Sequence, residues 1–122
     1  MALEFAAGDQ VGPAYSWQLE EGVADPALLV AAVLADLASG RDAAYVAACF
    51  HAALADLALA WARLVALPNV VLTGGCFQNA LLTERVRARL EHAGFRVHRH
   101  RLFPPNDGSI SLGQAVVAAK TP

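Results

Sequence analysis

Residue types that could do chemistry gather at two points of this 122-residue chain. The first is Val70-Val71-Leu72-Thr73-Gly74-Gly75-Cys76-Phe77-Gln78-Asn79, where β-favouring residues feed paired glycines and a helical pattern follows. Glycines at a strand-to-helix junction let the backbone take positive φ and leave room for a ligand against the main chain. The helix beyond them turns its unpaired N–H groups and positive dipole end back on the junction, so the expected occupant is anionic, phosphate above all. The same residues also suit a plain turn with packing glycines, and neither GxGxxG nor GK[ST] spacing is present. The second point is Phe103-Pro104-Pro105-Asn106-Asp107-Gly108-Ser109, which sets a carboxylate at another loop-to-helix junction. Ionised Asp107 is a hard, acceptor-only group suited to a divalent ion bridging to phosphate, or to a substrate hydroxyl. Its alternative is an Asx turn or helix cap before Gly108. Asn79 offers a two-faced amide to a sugar hydroxyl or a base edge.

Other reactive types read differently. Cys76, at a helix N-terminus, could be an activated thiolate, although a small residue beside two glycines serves packing equally. Cys49 and Cys76 form no disulfide framework or CxxC site, and reduced thiols are expected. His98 and His100 share one face of a strand, a chelating spacing, but they stand among Arg96, Arg99 and Arg101, whose charges oppose a cation. His51 is expected at the polar edge of a helix, half-buried, either bonded to backbone or solvent or serving as a base.

These residues need elements to hold them. Asp25-Pro26 starts a helix that runs to about Ala38 and buries Leu29, Val33 and Leu37 or their neighbours, and Ser39-Gly40 ends it. A longer helix is predicted from about Asp42 to Ala66, with Val46, Phe50, Ala53, Leu57, Trp61 and Leu64 as its buried stripe and Pro68 as its stop. Next come a strand over 69–73, the glycine turn, a helix from about Asn79 to Ala93 with Leu81, Leu82, Val86 and Leu90 on one face, and a strand over 95–100. Strand, crossover helix and strand make a βαβ unit with parallel strands, and ligands of such sheets sit at the carboxyl ends of the strands. Both candidate loops leave from those ends. A last helix spans about Ser109 to Ala119. Residues 1–24 read as irregular, with Tyr15-Ser16-Trp17 as a short strand and Leu3 and Phe5 as part of an element built to be covered. The fold class is α/β, in one domain over 1–122.

Composition narrows the function classes. The chain is 57% hydrophobic, much of it alanine, and carries a net charge of −2. Arg85, Arg87 and Arg89 on one helix are its only basic cluster, so no nucleic-acid partner is expected. The apolar run from Ala43 to Leu67 is interrupted by His51, Asp56 and Arg63 and does not read as a membrane span, and no signal peptide is visible. A cytoplasmic location follows from that reading.

Gly74-Gly75-Cys76-Phe77-Gln78-Asn79, then Pro105-Asn106-Asp107-Gly108, with Leu112-Gly113-Gln114 closing, resembles the C-terminal end of the hydrogenase-maturation carbamoyltransferases of the HypF type. Met1-Ala2-Leu3-Glu4 and Phe50-His51 extend the resemblance over nearly the whole chain. That family usually has Gly-Gly-Val where this chain has Gly-Gly-Cys, which favours packing for Cys76. The resemblance implies one lobe of an actin-like, ribonuclease H-like ATPase fold (the ASKHA group), and a nucleotide site in which Gly74, Gly75 and Asn79 meet ATP and Asp107 meets a divalent metal ion. It implies formation of carbamoyl-adenylate from carbamoyl phosphate and ATP, then carbamoyl transfer to a cysteine of a partner protein in nickel-iron hydrogenase maturation. The family is much longer, and its metal-binding histidine pair is not reproduced by His51, His92, His98 and His100. No catalytic residue is assigned, and a complete active site is not expected. The alternative is a non-catalytic α/β module that binds a partner or itself.

Overall fold

In a computed structural model, which describes residues 2–121, the chain runs α1 (Ala2–Ala7), β1 (Gln18–Glu20), β2 (Val23–Asp25), α2 (Ala27–Ala38), α3 (Ala43–Val65), β3 (Asn69–Leu72), α4 (Ala80–His92), β4 (Arg96–Arg99) and α5 (Ile110–Lys120). Short 3-10 turns precede α4 (Gly75–Gln78) and α5 (Asp107–Ser109).

Helix α3 is the centre. Asp42 caps it by accepting from the Ala44 amide, and Ala66 closes it in the left-handed conformation at φ 56°, just before Leu67-Pro68. An 18-residue window within it reaches a mean hydropathy of 1.6, enough by length and composition to cross a membrane, yet here it packs as a core helix against α1, α2 and α4. Its buried face differs from the expected stripe of large residues. Ala47, Ala48, Ala52, Ala53 and Ala55 are buried together with Val46, Cys49 and His51, while Trp61 and Leu64 stand 41% and 60% exposed. Small side chains let neighbouring backbones approach closely, so the alanine face turns inward.

Strands β3 and β4 pair in parallel, Asn69 opposite Arg96 and Leu72 opposite Arg99, with α4 as the crossover. Both are a little shorter than predicted. Leu82, Val86 and Leu90 of α4 meet Leu72 and Ala55 in the main core, with Leu59, Phe77, Phe95 and Val97 around them.

The N-terminal segment corrects the expectation of irregular structure. Residues 2–7 are helical, and the strand falls after Tyr15-Ser16-Trp17, in an antiparallel hairpin whose turn residues Glu21 and Gly22 both have positive φ. Single-sequence patterns miss it because each strand has three residues. Tertiary bonds hold the segment: the Trp61 indole donates to the Gly22 carbonyl at 3.0 Å, and the Tyr15 hydroxyl donates to Asp36 at 2.7 Å. Pro26 rather than Asp25 holds the N-cap position of α2, so that helix starts one residue later than predicted, and Asp25, the last residue of β2, accepts from the Ala27 amide at 2.8 Å. Only Leu29 of its expected apolar set is fully buried; Val33 is half-buried and Leu37 exposed. Every residue of α5 is exposed.

Candidate nucleotide-binding loop

The two chemical stretches meet. The Gly74 amide donates to the Pro105 carbonyl at 2.6 Å, fastening the loop after β3 to the loop after β4 at the carboxyl ends of both strands. Only one of the paired glycines needs its conformational freedom: Gly74 sits at φ 103°, whereas Gly75 is outside the left-handed region, correcting the expectation for the pair. A Cβ at either position would meet nothing within 4 Å, so the backbone there lies open. Beside the loop is a cleft of about 340 Å³ whose lining includes Phe77, Gln78, Thr83, Arg99, His100 and Pro105. A larger cavity of about 880 Å³ lies between α3 and α4, edged by Arg63, Arg85 and His92, and contains no residue of either motif.

The glycine loop does not run directly into the helix. The 3-10 turn over Gly75–Gln78 intervenes, and Thr83 ties it to α4 with a hydroxyl placed 3.0 Å from the Phe77 carbonyl and 2.8 Å from the Asn79 carbonyl. The start of α4 is already occupied, contrary to the expectation that its amides await an external anion. Glu4 from α1 accepts from the Ala80 amide at 2.7 Å and the Leu81 amide at 3.2 Å, and the Asn79 side chain accepts from the Leu82 amide at 2.8 Å. A carboxylate held by the fold answers the positive helix end as well as a phosphate would. The main chain around Gly74 and Gly75, ahead of the helix, has open space beside it, with the Gly74 amide itself already paired to Pro105.

Asn79 spends its amide inside the chain. Its oxygen caps α4, and its nitrogen donates to Nε2 of His51 at 2.9 Å. His51 is only 2% exposed, not half-buried at a polar edge, and its other ring nitrogen bonds the Ala47 carbonyl at 2.8 Å. The Asn79 amide keeps a second N–H beyond the one given to His51.

Asp107 is exposed, and the Asx turn weighed for it is made by its neighbour: the Asn106 side chain accepts from the Gly108 amide at 3.1 Å. Among the described residues, no three of His, Cys, Asp and Glu converge on a point. One exposed carboxylate is too few ligands for a divalent ion, so the residues of this chain do not by themselves fit a metal. His98 and His100 each bond a β3-side partner, Asn69 at 3.2 Å and Thr73 at 3.1 Å. Cys76 is exposed and Cys49 buried, both as free thiols. Glu4, Thr83 and Arg99 were not singled out for this site from the sequence. Glu4 acts across 76 positions, beyond any local spacing rule, and only its place in the family resemblance marked it.

Known proteins resemble this chain in sequence and fold. The family profile described as "Carbamoyltransferase, Kae1-like Domain, second subdomain" matches residues 1–114. The carbamoyltransferase HypF of Rhodobacter capsulatus is 39% identical over 123 residues, covering 98% of this chain and 16% of that protein. A HypF homolog of Cupriavidus necator is 41% identical over 93 residues, 73% of this chain and 24% of its own length. Among solved structures, full-length HypF in a phosphate- and nucleotide-bound form superposes with a TM-score of 0.88 at 34% identity, over 97% of this chain and 20% of that one. HypF of T. kodakarensis, at 24% identity and a TM-score of 0.76, shows the shared fold. The chain thus spans a quarter or less of the length of these relatives. Matched by the family model over residues 1–114, with the same α/β fold as full-length HypF, the chain belongs to the HypF carbamoyltransferase family.

Proposed function

We propose that this chain is one lobe, a single domain over 1–122, of a carbamoyltransferase that forms carbamoyl-adenylate from carbamoyl phosphate and ATP. The carbamoyl group then passes to a cysteine of a partner protein in nickel-iron hydrogenase maturation. The observation that carries this reading is the Gly74–Pro105 bond, which brings both motif loops to one edge beside open glycine backbone. The nucleotide-bound state of a relative with the same fold supports it.

In this reading the phosphates of ATP lie along Gly74 and Gly75, with no side chain in the way. Asn79 contributes its remaining N–H and holds the end of the loop. Asp107 would supply one hard oxygen to a divalent metal ion whose other ligands come from outside these residues. We place the reaction in the cytoplasm, where both free cysteines stay reduced.

One wall of a cleft positions one reactant, and positioning both is where most of the rate effect arises. The isolated chain is therefore expected to show no ATP–pyrophosphate exchange dependent on carbamoyl phosphate, with exchange appearing when the missing lobe is added in trans. Robust exchange by the chain alone would sink this reading. A non-catalytic α/β module for partner binding or self-association is the second reading, favoured by the uncovered apolar residues of α2 and α5, such as Leu34, Ile110 and Val117. A stable self-associated chain that activates no added lobe would select it.

A further inference from the structure

We propose that His51 is a positioning residue for the Gly74–Asn79 loop, acting through Asn79 as a ring that carries its proton on Nδ1 and presents a bare lone pair at Nε2. Its effect on nucleotide affinity rests on the reading of that loop given above; its effect on the loop itself does not.

Both side chains face backbone partners whose hydrogen-bonding role is fixed. A backbone carbonyl can only accept, so the Ala47 oxygen, 2.8 Å away, fixes the proton on Nδ1 of His51. A backbone amide can only donate, so the Leu82 N–H, 2.8 Å from the Asn79 side chain, fixes the oxygen end of that amide toward α4. The amide nitrogen then has to face His51, and at 2.9 Å it finds the lone pair left on Nε2. Reversing either group breaks two bonds together: a flipped amide sets nitrogen against the Leu82 N–H and oxygen against the ring lone pair. The order is therefore set from both ends, and α3 is linked to the end of the glycine loop through one side-chain pair.

The His51 side of the pair is shut away from water, while Asn79 is half-buried. His51 is 2% exposed, and Phe50 presents its ring to the imidazole edge-on, with centroids 6.2 Å apart and an interplanar angle of 88°. A polar ring this deeply buried loses more by mispairing than an exposed one, because water cannot replace its missing partner. A space-filling histidine would need no particular tautomer. Here the tautomer decides which way Asn79 points, and Asn79 closes the 3-10 turn that begins at Gly75.

Nitrogen spectra of the histidine rings in the 122-residue chain test this directly. The expected signature is Nδ1–H with an unprotonated Nε2 at His51, and slow exchange of the Asn79 side-chain amide. In Asn79→Asp the donor becomes an acceptor that still caps α4, so Nε2 of His51 should gain a proton. His51→Gln, whose side-chain oxygen can stand in for Nε2, should keep the Gly74 and Gly75 amide resonances near their wild-type positions. His51→Leu should move them and weaken binding of an ATP analogue about tenfold, the scale of one buried hydrogen bond lost. An Nε2–H tautomer in the wild type, an unchanged ring in Asn79→Asp, or equal behaviour of the Gln and Leu variants would each overturn the proposal. If the ring signatures hold and no variant or wild type binds the analogue, the positioning stands and the nucleotide reading of the loop falls.

Discussion

The carboxylate of Glu4 accepts from the backbone N–H of Ala80 at 2.7 Å, joining the first helix to the first turn of α4 across 76 positions of sequence. It reaches the Leu81 amide as well, so one side chain serves two amides that the helix itself cannot pair. Glu4→Ala should lower stability by about 1–2 kcal/mol, the range for losing a helix cap with its charge. Glu4→Gln keeps an acceptor oxygen without the charge and should fall between. Urea denaturation measures both, and an unchanged midpoint in Glu4→Ala would mean that water replaces the carboxylate without loss.

Gly75→Val separates binding from folding. The position has open space for a Cβ and no left-handed backbone, so the variant should fold with a stability change below about 1 kcal/mol while its affinity for an ATP analogue drops. Gly74→Val at φ 103° should instead lose stability. Calorimetry with a folded Gly75→Val protein that binds the analogue as the wild type does would count against phosphates at this backbone.

Alkaline pH should loosen the N-terminal segment. Burial, then the bond to Asp36, pushes the Tyr15 hydroxyl well above the usual tyrosine range. A group whose folded pKa is raised contributes stability that is fully present below its unfolded pKa of about 10 and is lost as pH climbs toward the folded value. Stability of the wild type should therefore decline above pH about 10. Tyr15→Phe should lack that part of the decline, and parallel curves for the two proteins would show that the bond contributes nothing.

Gly12 lies against Cys49 so closely that an added Cβ would sit 2.5 Å from the sulfur. Gly12→Ala should cost about 1–3 kcal/mol through overpacking. Cys49→Ala opens that space, so the double variant should recover part of the loss, a coupling visible in a double-mutant cycle. Additive effects would indicate that the backbone moves away instead.

Cys76→Val should leave stability and nucleotide binding as they are, since the thiol is free and exposed. Loss of analogue binding or of activity complemented in trans, with the helical spectrum intact, would revive the thiol as a nucleophile.

How much of this was legible in the sequence divides along sequence distance. The βαβ unit was, because Leu82, Val86 and Leu90 repeat at helical spacing and the strands carry their own signals. The meeting of the glycine and Asp107 loops followed from strand direction alone. The core face of α3 was legible only in part: Val46 and Ala53 of the expected stripe are buried, but large residues dominate a periodicity count while the fold also buries Ala48, Ala52 and Ala55. His51 shifted from edge to interior for the same reason. The start of α4 looked vacant because its occupant comes from the far end of the chain, and no window that contains Ala80 contains Glu4.

Helix α5 has eleven residues, all exposed, among them Ile110, Leu112, Val116 and Val117. Helices of that length are marginal in water without packing, as nucleation is unfavourable and few bonds follow it. Its amides should therefore exchange with solvent almost as fast as those of a coil in the chain alone, while those of α3 and α4 exchange slowly. Deuterium uptake along Ile110–Lys120 then becomes a clock for assembly: it slows only when something covers that apolar face, whether or not any chemistry has begun.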